Sequence, residues 1–93
     1  SIDEDNSSEA AIVKEAVAAY QRQQWNKAIQ IIAPVTSEKQ DNYDLQELLA
    51  HAYFRVGQYE KAAEIFQTLV TPNIPPYAER CQWYLTLALL ASD

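Results

Sequence analysis

The chain has one glycine, Gly57, in 93 residues, and this scarcity excludes more than any motif it carries. Phosphate-cradling loops and dinucleotide fingerprints need several glycines for close backbone approach, so neither can be built here. Cysteine is also nearly absent. Cys81 stands alone, cannot form an internal disulfide, and reads as a small apolar helix residue. His51 is the only histidine, which leaves a zinc site without companion ligands and a general base without an acid or nucleophile beside it. Basic residues are few, seven Lys and Arg against thirteen Asp and Glu, and form no stripe. The net charge of −6 would repel a nucleic-acid backbone. There is no run of 18 apolar residues, so no segment reads as a membrane span. The acidic opening Asp3-Glu4-Asp5 does not have the pattern of a signal peptide and reads as a solvated tail or linker.

What is present favours helices. Nearly half of the residues are apolar and 11% are aromatic, enough for a core that removes roughly 60–65% of the unfolded surface from water. Apolar residues recur at helical spacing in five stretches. Residues 1–8 read as a disordered acidic tail, with Asn6-Ser7-Ser8-Glu9 offering caps to a helix from Glu9 to Gln23 whose stripe is Ile12, Ala16, Ala19 and Tyr20. A one-residue slip would turn Val13, Val17 and Tyr20 inward instead. Trp25, Ala28, Ile29, Ile32 and Val35 predict a second helix over Gln24–Thr36. Asp41 or Asn42 can cap the third, which carries Leu45, Leu48, Leu49, Ala52, Tyr53 and Val56 and ends at Gly57. Tyr59, Ala62, Ala63, Phe66, Leu69 and Val70 define the fourth. Prolines 72, 75 and 76 break the chain before a fifth helix over Pro76–Ala91.

The stripes repeat. Trp25-Asn26-Lys27-Ala28-Ile29 returns 34 residues later as Tyr59-Glu60-Lys61-Ala62-Ala63, and Ile31, Ile32 and Val35 return as Ile65, Phe66 and Leu69. A fixed period of this size is the mark of stacked helical hairpins. Within residues 42–76 the pattern Leu49-Ala50, Tyr53, Gly57, Tyr59, Ala62, Phe66 and Leu69 resembles the tetratricopeptide repeat. Small Ala50 and Ala62 let paired helices approach, Tyr53, Tyr59 and Phe66 fill the holes, and Gly57 makes the turn. Residues 9–41 resemble a weaker copy in which Gln23 replaces the turn glycine and Glu15 stands at an apolar position. Residues 77–93 resemble the first helix of a third copy, Leu85, Thr86, Leu89 and Asp93 aligning with Leu49, Ala50, Tyr53 and Gly57 at a spacing of 36. The expected fold is all-α, a right-handed superhelix of five helices: two repeats (9–41 and 42–76) and one terminal helix, forming a single domain over 9–93.

The resemblance implies a non-enzymatic protein–protein interaction scaffold, without cofactor or metal, that holds a partner peptide or helix in a groove lined by the first helix of each pair. Carried onto this chain, the groove positions are Val13, Val17 and Tyr20, then Asp44, Glu47, His51, Phe54 and Arg55, then Arg80, Trp83, Leu87 and Leu90. Tyr20, Glu47, His51, Phe54, Arg55, Arg80, Trp83 and Leu87 are the expected partner-binding set, aromatic walls with polar groups to fix orientation. A clamp for acidic chaperone tails, known in part of the family, is not expected, because Val13, Val17, Leu48, Arg80 and Tyr84 occupy its positions and only Arg80 suits it. The fifth helix is apolar all round, so the alternative is a structural module whose terminal helix drives homo-oligomerisation or carries further repeats. The expected setting is the cytoplasm, or the soluble part of a membrane-anchored bacterial protein.

Overall fold

In a computed structural model, which describes residues 2–38 and 42–93, the chain is five helices. They are α1 (Ile2–Gln21), α2 (Trp25–Glu38), α3 (Tyr43–Arg55), α4 (Tyr59–Val70) and α5 (Tyr77–Ser92), and the described residues contain no strand. α1 begins at Ile2, not at Glu9 after an acidic tail as its sequence suggests. The reason is that residues 2–21 contain neither glycine nor proline, so once nucleated the helix propagates through the capping-type residues at 6–8. α2 likewise runs past Thr36 to Glu38 and tolerates Pro34 inside it. α5 starts one residue later than expected, with Pro76 as its N-cap residue.

The 34-residue period is visible in single hydrogen bonds. At the end of α1, the Gln24 amide donates to the Ala19 carbonyl at 2.9 Å and the Gln23 amide to the Tyr20 carbonyl at 2.9 Å. At the end of α3, the Gln58 amide donates to Tyr53 at 2.9 Å and the Gly57 amide to Phe54 at 3.1 Å. Each donor and acceptor lies 34 positions beyond its counterpart. This paired bonding closes a helix around one residue in the left-handed conformation. Gly57 takes it at φ +83°, and Gln23 takes it at φ +61° without glycine's freedom. Asn42 caps α3, its Oδ1 accepting from the Leu45 amide at 3.1 Å, while its Nδ2 donates to Glu9 Oε1 at 2.7 Å and so joins the first two hairpins. Asp41, the other expected cap, lies outside the described residues.

Two apolar clusters share α3. Ala16, Ala19, Ala28, Ile32, Leu45, Leu49 and Ala52 make the first, and Ala50, Ala62, Phe66, Leu69, Cys81, Leu85 and Ala88 lie in the second. Tyr53 and Ile65 touch both, so the core is continuous along the stack. Ala16 and Ala19 are buried while Val17 is 36% exposed, which settles the register of α1 on the stripe read first. The backbones of α1 and α3, and of α3 and α5, approach closely, whereas those of α2 and α4 stay farther apart and leave a depression between them. The first helices of the pairs thus form the tighter layer and the second helices the looser one. The fold is elongated, 44 × 29 × 19 Å, as stacking by nearest neighbours requires.

Candidate functional site

On the tighter layer, α3 and α5 enclose a shallow depression of about 450 Å³. Four of the expected residues meet there: Glu47, His51, Arg80 and Trp83. Helical spacing explains the grouping. Glu47 and His51 are one turn apart on α3, as are Arg80 and Trp83 on α5.

Glu47 and Arg80 form a two-point ion pair, with Arg80 Nη2 donating to Oε1 at 2.7 Å and Nε to Oε2 at 3.0 Å. The carboxylate is the sheltered partner, 14% exposed against 49% for the guanidinium. The Arg80 guanidinium also lies over the Tyr77 ring, 5.3 Å from its centre. The hydrogen bond to Glu47 pushes Arg80 up from its ordinary value. The Tyr77 hydroxyl donates to Asp44 Oδ1 at 2.7 Å, and that bond is the main reason the phenol is pushed up. Beneath the pair, Cys81 Sγ lies 3.6 Å from Glu47 Oε2. Burial first, then the Glu47 charge, push the thiol up to about 12, so it stays protonated and unreactive.

His51 is half-buried rather than a free surface group. It meets Phe66 edge-on at 5.1 Å and Tyr84 at 4.4 Å. Burial lowers its pKa; Glu47 raises it, and Arg55 and Arg80 lower it further. The ring is therefore neutral at pH 7. Phe54 is half-buried, edge-on to Tyr59 at 5.3 Å and to Tyr84 at 6.4 Å, and belongs as much to the core as to the surface.

The remaining expected residues lie elsewhere. Arg55 reaches past the end of α3 to place its guanidinium over Trp25, 5.3 Å from the ring centre, and Tyr20 packs edge-on against the same ring at 4.8 Å. These three tie the first turn to the second hairpin. Leu87 is half-buried one turn beyond Trp83, and Leu90 follows at 70% exposed. Sequence reasoning missed Tyr84, which stacks on Phe66 at 5.7 Å and forms the back wall between His51 and Phe54. Its signal was its spacing from Cys81, Leu85 and Ala88 on the buried side of α5. A second, larger depression of about 620 Å³ on the looser layer, between α2 and α4 over Tyr43, Leu49 and Tyr53, carried no expectation.

Residues 19–73 match the family model described as the tetratricopeptide repeat, more than half of the chain. The chain belongs to the tetratricopeptide repeat family. No curated protein and no solved structure matches it. The match covers the left-handed turns at Gln23 and Gly57 and the whole second hairpin. Repeats of this family generally mediate protein–protein interaction and are generally non-enzymatic modules. Among the described residues, no helix is long and apolar enough to cross a membrane.

Proposed function

We propose that the chain is a protein–protein interaction scaffold whose partner, a peptide or helix, lies along α5 and enters the depression between α3 and α5. The observation that carries this reading is Trp83. It is a tryptophan 63% exposed at the rim of a depression whose other walls are fixed by an ion pair and packed rings. Exposed aromatic and arginine side chains beside a preformed wall are the groups that concentrate binding energy at interfaces. Phe54, Arg55 and Tyr20 serve chiefly to hold the hairpins together, and the contact surface is Trp83, Arg80, Leu87 and Leu90. A photo-crosslinking residue in place of exposed Gln82, which leaves Trp83 intact beside it, compared with one at position 60 on the outer side of α4, tests this in extracts of the native cell. The partner should be captured at 82 and not at 60. Equal capture at both positions would remove the groove reading.

A second reading is favoured by a separate observation. At the 36-residue spacing, Thr86, Leu89 and Leu90 stand where Ala50, Tyr53 and Phe54 stand in α3. Ala50 is fully buried and the two rings are half-buried by α4 and α5, whereas Leu89 is 53% and Leu90 70% exposed. α5 thus presents the face that α3 covers, which suits a further repeat or a second copy. Light scattering across a concentration series separates these: a dimer that Leu89→Gln dissolves supports self-association, and a monomer at every concentration excludes it.

A further inference from the structure

The depression between α3 and α5 has one aromatic ring left uncovered and more negative than positive charge. Both features constrain what enters it. Three surface aromatics of this chain are capped by a cation: Trp25 by Arg55, Tyr53 by Lys61 and Tyr77 by Arg80, each with the charge 5.3 to 5.4 Å from the ring centre. Trp83 is the exception. Among the described residues it has neither a ring contact nor a cation, and it is the most exposed aromatic side chain. Its depression also holds two carboxylates, Asp44 and Glu47, against one guanidinium. That guanidinium spends its Nε and one Nη2 hydrogen on Glu47 and lies over Tyr77, so its charge is largely offset by the carboxylate it holds while its remaining N–H groups stay at the surface. Asp44 accepts one hydrogen bond, from Tyr77, at one oxygen, and remains exposed. A partner carboxylate would enter a depression lined by Asp44 and Glu47, whereas a partner cation would find those carboxylates and the uncapped Trp83 ring along the same wall.

We propose that the partner segment carries a lysine or arginine side chain that seats between the Trp83 ring and the Asp44 carboxylate, with its apolar residues running along Leu87 and Leu90. The proposal rests on the groove reading above and specifies its ligand. An indole face is the best of the aromatic cation acceptors, and a carboxylate beside it adds direct charge attraction. Leu87 and Leu90 follow Trp83 at one and two helical turns, so a helix or extended strand lying along α5 would place apolar residues over them. The chain's own net charge of −6 favours approach of such a segment.

The test uses two short amphipathic peptides as probes, one of leucine and lysine and one of leucine and glutamate, labelled for fluorescence anisotropy against the full chain. The lysine peptide should bind and the glutamate peptide should not. Trp83→Ala and Asp44→Asn should each raise Kd by roughly threefold to tenfold. Both residues are exposed, so the variants should keep the parent's circular dichroism. Glu60→Gln with Glu64→Gln on α4 should leave Kd unchanged. An equal loss from the α4 pair shows attraction by net charge alone and overturns the inference, as does a lysine peptide that ignores Trp83→Ala or does not bind. If the glutamate peptide binds instead and Trp83→Ala weakens it, the groove reading stands and the cation is wrong. If neither peptide binds and light scattering shows a dimer lost in Leu90→Gln, both fall.

Discussion

Exchanging the turn residues of the two repeats tests how far the 34-residue period is an energetic as well as a geometric fact. Gln23 and Gly57 make the same pair of hydrogen bonds at the same place in their hairpins, and both have positive φ. A residue with a Cβ loses about 1–2 kcal/mol in the left-handed conformation. The Gln23 side chain is exposed and, among the described residues, no contact of that side chain offsets the loss. Gln23→Gly removes the strain but gives the unfolded chain more freedom, about 0.4–1 kcal/mol in the opposite direction. The expected net gain is about 0.5–1 kcal/mol, or a rise in Tm of roughly 2–8 °C for a domain of this size. Gly57→Gln runs the exchange backwards. A Cβ built at Gly57 has no atom within 4 Å, so nothing clashes and the loss is the backbone term alone, again about 0.5–1 kcal/mol. The double exchange should leave stability near its starting value if the two turns are independent. Urea unfolding with constant m-value measures all three. If Gln23→Gly lowers the midpoint, or Gly57→Gln leaves it unmoved, the argument from the left-handed turn is wrong.

Phe66→Ala should cost about 3–5 kcal/mol, because Phe66 is fully buried at the centre of the second cluster, and the variant's urea midpoint should fall accordingly. His51 binds protons less readily in the folded chain than in the unfolded one. Unfolding therefore gains protons as pH drops through about 6.5, and stability should be flat above that value and decline below it, before the carboxylates near pH 4 contribute. In His51→Asn the slope of Tm against pH between about 6.5 and 5 should shrink; an unchanged slope would assign it to other groups. Cys81 is fully buried and its thiol is pushed up to about 12, so iodoacetamide should label it slowly in native buffer and quickly in urea. Rapid labelling of the native chain would mean that α5 opens away from α4.

The repeat, the five helices and the two turns were legible because each follows from local spacing. The period-3.6 stripes need only a helix to be apolar on one side, and Gly57 and its counterpart Gln23 are marked by position alone. The start of α1 was not legible, because residues 6–8 carry side chains that favour a cap yet nothing that forbids a helix, and the competition between the two has no sign in the sequence. Spacing also brought together half of the residues expected at the groove: Glu47, His51, Arg80 and Trp83 share one depression, the candidate site. Arg55 and Tyr20 went elsewhere because Trp25, 30 positions before Arg55, offered a ring that only the packing of α2 beside α3 brings within reach. Tyr84 joined the site for the same reason, since its stack on Phe66 exists only once α4 and α5 are packed. Sequence alone thus determined which residues face inward on α2, α3 and α4, a one-dimensional property of spacing, but left two registers open for α1 and no preferred side for the apolar α5. Tertiary structure decided which charges and rings are already spoken for, because a side chain's partner lies on a neighbouring helix whose distance no spacing encodes.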